Sequence, residues 1–204
     1  EVIARNFILD ERPDCIINIV DATNLERNLY LTTELIDISP RMVIALNMYD
    51  ELERSGAEFD HKALGEMIGI PMVPVVAPTG RGIEELLDTV IALHEGRDSR
   101  ERHIHINYGN VIEEALEGLN GDLREHRTEL PAHFPPRYYA LKLIEGDKDS
   151  LHMISSSSHY TRSQQMAVEA RENIEEALNT DIETALAERK YGFVSGALKE
   201  TYSA

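Results

Sequence analysis

Met-Val-Ile-Ala-Leu-Asn-Met-Tyr-Asp, residues 42–50, decides the fold: five consecutive apolar residues lead into Asn47 and Asp50 at Asn-x-x-Asp spacing. An unbroken apolar run suits a parallel strand covered on both faces, and open α/β sheets place ligands beyond the carboxyl ends of such strands. Asn47 and Asp50 stand at that end. A carboxylate there has two acceptor oxygens, which match the ring N1–H and exocyclic amine of guanine; adenine presents no such donor pair. Asn47 is expected to brace the loop and touch the base edge. The same spacing recurs in Asn18-Ile19-Val20-Asp21, so spacing alone does not choose. Context separates them, because Asn18 lies inside an apolar run whereas Asn47 follows one and leads into Asp50, Glu51 and Glu53. A plainer alternative stays open, in which Asn47 and Asp50 only end a strand and start a turn.

Outward from this stretch, residues 15–20 and 72–76 read as two further short apolar strands. A helix carrying Leu25, Leu29, Thr32, Leu35 and Ile36 on one face separates the first two, with Thr23 and Glu26 at capping-box spacing before it. Asp60 reads as the N-cap of another helix that ends near Gly69, with Phe59 stapled against Leu64. Ala77-Pro78-Thr79-Gly80-Arg81-Gly82 then turns into a helix expected to bury Ile83, Leu86, Leu87, Val90 and Ile91. Before all of these, residues 1–10 carry Ile3 and Phe7 on one helical face, broken by Arg12-Pro13-Asp14. Alternating strands and helices mean parallel βα units.

Charged residues cluster from Gly96 to Arg102 and the apolar strand runs stop, which predicts an α/β domain over 1–98 and a helical domain over 99–204. Residues 111–119 carry a short stripe, residues 131–136 a proline break, and residues 138–144 an apolar segment ending at Gly146. The serines at 155–158 read as a turn and helix cap. Two longer helices follow, one burying Met166, Ala170, Ile174, Ala177 and Leu178, the other Ile182, Ala185, Leu186, Phe193, Ala197 and Leu198.

The chain has 204 residues of which 42% are hydrophobic, enough for one good core or two modest ones. It has no apolar run of about 18 residues, so no direct membrane insertion of this chain is expected. A formal net charge of -17 repels nucleic-acid phosphates and anionic headgroups alike, and no nucleic-acid partner is expected. The single Cys15 lies in an apolar strand and reads as core; without an internal disulfide partner it favours a reducing setting. Glu1 opens the chain inside a helical pattern, so a preceding segment is expected.

Three stretches together resemble the cytosolic part of the ferrous iron transport protein B (FeoB) family. They are Asp21-Ala22-Thr23-Asn24-Leu25-Glu26-Arg27-Asn28-Leu29-Tyr30-Leu31, Val43-Ile44-Ala45-Leu46-Asn47-Met48-Tyr49-Asp50 and Arg137-Tyr138-Tyr139-Ala140-Leu141-Lys142-Leu143-Ile144-Glu145-Gly146-Asp147. Arg189-Lys190-Tyr191-Gly192-Phe193 agrees near the end, and Met48 in place of the usual GTPase lysine is itself typical of the family. The resemblance implies the C-terminal half of a P-loop GTPase-like parallel sheet, then an all-helical regulatory domain. It implies a cytosolic guanine-nucleotide-binding region of a bacterial transporter that couples GTP binding and slow hydrolysis to Fe(II) uptake. It also implies a permease domain in the same polypeptide, at the cytoplasmic face of the inner membrane. The nucleotide-binding residues it implies are Asn47, Met48, Asp50, Val76 and Ala77.

The departures from the family bear on activity. Val76-Ala77 stands where GTPases carry Ser-Ala or Thr-Ala, keeping the Ala77 backbone donor but losing a hydroxyl that would steady the loop. No Gly-x-x-x-x-Gly-Lys-Ser/Thr loop occurs, nor an Asp-x-x-Gly turn for Mg2+ and the γ-phosphate. Those are expected upstream, with GTP or GDP read here by its base alone, Mg2+ bound only in the intact protein, and no catalytic residue in this chain. Residues 15–20 would then lack a sheet neighbour, an edge to be covered by another copy, a swapped segment or upstream residues. A homo-oligomer is compatible with that edge.

His103-Ile104-His105 has same-face spacing on a strand but no evident third ligand, and reads as a solvated pair. His61, His94, His126, His133, His152 and His159 are scattered in sequence, and the Glu113, Glu114 and Glu117 group reads as a solvated helix face, so no metal site is expected. A function of a different class also fits: a non-catalytic α/β platform whose helical half binds a protein partner. Guanine-over-adenine preference separates the two.

Overall fold

The structure is a computed structural model that describes residues 2–38, 40–130 and 135–203. It divides into two compact units, residues 1–106 with 191–204, and residues 107–190. The composition change at 96–102 falls somewhat before that division, and nothing in the sequence pattern signals that 191–204 returns to the first unit.

In the first unit the order is α1 (Val2–Glu11), β1 (Ile16–Asp21), α2 (Leu25–Ile38), β2 (Met42–Asn47), α3 (Tyr49–Ser55), β3 (Glu58–Phe59), α4 (His61–Ile68), β4 (Met72–Pro74) and α5 (Ile83–His94). Three of these strands form a parallel sheet in the order β1-β2-β4. The central strand β2 buries Val43, Ile44 and Leu46 completely, as an unbroken apolar run requires. Each such side chain contributes about 1.5–3 kcal/mol by leaving water. Val43 and Ala45 pack with Val73, Val75, Leu86 and Leu93, and half-buried Cys15 and Val90 lie against that cluster.

Several side chains depart from the sequence expectation. Helix α5 faces its core through Leu86, Val90 and Leu93, while Ile83, Leu87 and Ile91 are exposed. Ile83, Leu87 and Ile91 recur every four residues, so periodicity identifies an apolar stripe without saying what it faces. The cap before α2 is Asp21, which accepts from the Thr23 N–H at 2.8 Å and the Thr23 hydroxyl at 2.7 Å, displacing the expected Thr23 and Glu26 box. Asp60 caps α4 as expected, accepting from Ala63 N–H at 2.9 Å, and Gly69 ends that helix with φ 69°. Phe59 meets Tyr202 edge-on at 6.1 Å between ring centroids. Among the described residues β1 pairs only with β2, and its alternate residues Ile17 and Ile19 are exposed, Ile19 at 68%.

The second unit contains α6 (Asn110–Glu125), α7 (Pro136–Glu145), α8 (Lys148–Met153), α9 (Tyr160–Leu178) and the first part of α10 (Ile182–Thr201). Ile112, Leu116, Leu119 and Leu123 give α6 its buried face, and Val111 is exposed. Helix α7 is buried along Tyr138 to Ile144, including Lys142, whose Nζ reaches Glu145 at 2.7 Å. Pro136 opens α7, where a missing N–H costs nothing; residues 131–134 of the expected proline break lie outside the described residues. Glu113 is not part of a solvated face, because Arg137 grips it with two bonds of 2.9 Å. Helix α9 buries Ser163, Ala167 and Ile174, and Ala177 faces solvent. In α10 Ile182, Ala185, Leu186 and Ala197 are buried as expected, together with Val194; Phe193 is half-buried.

The last part of α10 belongs to the first unit, where Tyr191 stacks on Tyr30 at 4.3 Å. There β5 (Tyr202–Ser203) pairs antiparallel with β3.

Candidate functional site

The carboxyl ends of β1 and β2 lie level, with Asp21 in register with Asn47. Past Asn47 the backbone turns sharply at Met48, whose φ of 58° is a left-handed conformation uncommon outside glycine. That turn leaves the Met48 side chain 42% exposed and starts α3 immediately, so Asp50 falls in its first turn. Asp50 is half-buried and pairs with Arg54 one turn on.

The two stretches that sequence reading singled out come together. Asn47 Oδ1 accepts the Ala77 N–H at 3.2 Å, and Val75 N–H donates to Leu46 O at 2.8 Å, so the loops after β2 and β4 are tied at their bases. Asn47 therefore braces the loop, and within this chain the Ala77 donor is directed at Asn47. Val76 is buried beside Ala77 and bridges to Arg81.

Sequence reading missed what steadies this second loop in the absence of a hydroxyl at 76. The Thr79 hydroxyl donates to Val76 O at 3.2 Å, and Arg81 holds Glu53 of α3 through bonds of 2.8 and 2.5 Å. Arg81's hydrogen bond holds the Glu53 carboxyl below the usual range. The spacing carries a faint signal, since Thr79 and Arg81 flank Gly80 in a tight turn with φ 76°. Nearby, Tyr49 Oη meets His61 Nδ1 at 3.3 Å. Burial, then the Lys62 charge, lowers the His61 pKa, while burial, then Glu53, raises that of Tyr49.

The repeated Asn-x-x-Asp is consumed by the fold: Asn18 donates to Thr32 Oγ1 at 2.9 Å, and Asp21 is the cap already described. Among the histidines, His103 and His105 sit edge to face at 4.5 Å and are exposed. His133 lies outside the described residues. His126 and His159, far apart in sequence, stack in the second unit beside Asp122. No pattern in the sequence pairs these two.

Fold and loops define a class: a parallel α/β unit with its candidate ligand-facing loops side by side at the carboxyl ends of the strands, joined in one chain to a helical unit. A family model described as ferrous iron transport protein B matches residues 1–90, and one described as the FeoB cytosolic helical domain matches residues 108–203. The chain is 45% identical over 205 residues to the Fe(2+) transport protein A/Fe(2+) transporter FeoB fusion protein of Porphyromonas gingivalis, covering 99% of this chain and 24% of that protein. It is 30% identical to the Fe(2+) transporter FeoB of Staphylococcus aureus, covering 91% of this chain and 28% of that one. Among solved structures, a GDP-bound NFeoB variant of S. thermophilus superposes with a TM-score of 0.84 at 29% identity, covering 99% of this chain and 74% of that one. The cytosolic domain of the T. maritima FeoB iron transporter in GMPPNP form gives 0.77 at 26%, covering 98% and 73%. The chain belongs to the FeoB family of ferrous iron transport proteins, and it spans about a quarter of the length of those curated relatives. Among the described residues no helix is long and apolar enough to cross a membrane.

Proposed function

We propose that this chain is the base-reading half of a guanine-nucleotide site, together with a helical regulatory part, in the cytosolic region of a ferrous iron transporter. The observation that carries the reading is the Asn47 to Ala77 hydrogen bond of 3.2 Å, which joins the two loops that would meet the base. Asp50 takes N1–H and the exocyclic amine, Met48 lies under the ring, and Val76-Ala77 lines the carbonyl side, where the base shares or replaces Asn47 at the Ala77 N–H. Relatives crystallised with GDP and GMPPNP support this. No Gly-x-x-x-x-Gly-Lys-Ser/Thr loop occurs in the sequence, so the reading concerns recognition of the base. Among the described residues β1 pairs on one side only and leaves Ile17 and Ile19 exposed, an apolar surface that a second copy would cover.

In the whole protein, nucleotide binding in the part up to about residue 98 is relayed through the helical part to a permease of the same polypeptide at the cytoplasmic face of the bacterial inner membrane. Titration of the full-length protein with GDP and ADP tests this. Clear preference for guanine is expected, and equal affinities would favour the platform that binds only a protein partner.

Met48 needs only its apolar stem for this role. Met48→Lys should leave GDP affinity within about threefold, because a lysine stem covers the same ring face and exposed substitutions stay within roughly 0.5 kcal/mol. Loss of binding in that variant would show that the thioether itself is required.

A further inference from the structure

In the second unit the C-terminal end of α6 and the N-terminal end of α9 bring Asp122, His126 and His159 together, one ligand atom of each within 4.8 Å of the others. Asp122 is only 5% exposed. Its Oδ2 accepts the Ser163 hydroxyl at 2.6 Å, but its Oδ1 accepts no hydrogen bond. Arg162 Nε stands 3.1 Å from that oxygen, within ion-pair range yet without hydrogen-bond alignment, on a side chain 62% exposed that is free to swing into solvent. A buried carboxylate oxygen that accepts no hydrogen bond is costly, and an ion pair to an exposed arginine offsets that cost only in part.

Both histidines lie beside that carboxylate. His126 lies one turn beyond Asp122, its Nδ1 2.8 Å from the Asp122 backbone oxygen. Backbone support of this kind orients metal-binding histidines. The His159 ring stacks on His126 with centroids 3.3 Å apart. The turn before His159 is fixed by Glu129, which accepts Ser158 N–H at 2.6 Å and the hydroxyls of Ser157 and Ser158 at 3.1 and 2.9 Å. Glu129 follows His126 by three residues, so one short turn positions both histidines. The partial negative charge at the end of α6 adds to the attraction for a cation.

We propose that Asp122, His126 and His159 form a binding site for a divalent first-row transition cation. Two imidazoles and one carboxylate suit borderline ions such as Zn2+ and Fe2+, and three protein ligands leave coordination positions open to water. Arg162 occupies the carboxylate in the metal-free state and leaves when the ion enters, so a +1 neighbour is exchanged for a +2 ligand. The site lies in the helical unit and is independent of the nucleotide reading.

Titration of the 204-residue chain with Co2+, followed by its visible d–d absorption, and competition with Zn2+ test the site. One equivalent is expected to bind with a low-symmetry, histidine-type spectrum that Zn2+ abolishes. His126→Gln and His159→Gln, both on half-buried side chains, should each weaken binding by at least the roughly 10- to 100-fold that loss of a supporting partner costs a metal site. Arg162→Gln should strengthen binding, a gain that no merely structural role for Asp122 produces. Absence of a d–d band, or binding that survives both histidine changes and is lost on replacing His103 and His105, would overturn the proposal.

Discussion

Asp50→Asn in the full-length protein is expected to cost about 2 to 5 kcal/mol of GDP affinity and to shift preference toward XDP. In the proposed site the carboxylate accepts two donors from guanine, whereas a carboxamide turns one donor toward another and leaves a base N–H unsatisfied. Xanthine carries a carbonyl where guanine carries the amine, so the same amide that rejects GDP suits XDP. Asp50 also pairs with Arg54, and the substitution breaks that contact. Arg54 is exposed and Asp50 half-buried, so the pair is largely screened, its loss is small, and it does not discriminate between bases. Comparing GDP and XDP affinities therefore isolates base reading from fold. Unchanged GDP affinity would remove Asp50 from the site.

Gly82→Ala should lower the stability of the first unit by about 2 to 4 kcal/mol and weaken guanine binding with it. Gly82 has φ 81°, which an L side chain adopts only under strain, and an added methyl would overlap the Pro74 carbonyl oxygen and lie 3.2 Å from Val75 Cα. Backbone cannot yield as a flexible side chain does. The β4 to α5 loop would have to move away from the sheet, taking Val76, Ala77 and the Arg81 tie to Glu53 with it. Gly80→Ala is the matched control: its φ is 76°, but nothing lies within 4 Å of the added methyl, so only a backbone penalty of about 1 kcal/mol remains. Urea unfolding, read by amide exchange in β2 and β4, separates the two. Equal effects would mean that strain at φ, and not the close approach to Pro74, makes glycine necessary at 82.

The sequence by itself determined the parallel α/β character, the helical second half and the position of the candidate nucleotide loops. The physical reason is that these features are local: five apolar residues ending at Asn47 require cover on both faces, and the polar residues after them must lie at the strand end. The resemblance to the family likewise rests on contiguous stretches. Tertiary structure alone decided which side of an apolar stripe is covered, as in α5, where Leu86 and Leu93 are buried and Leu87 and Ile91 are not. It also showed what consumes the second Asn-x-x-Asp pattern, which sequence context had already set aside: Asn18 bonds Thr32, and Asp21 caps the turn before α2. The partners of Glu113 and Arg81, the return of residues 191–204 to the first unit, and the meeting of Asp122 and His126 with His159 were illegible for one reason. Each joins residues distant in sequence, and periodicity and spacing record only what neighbouring residues do.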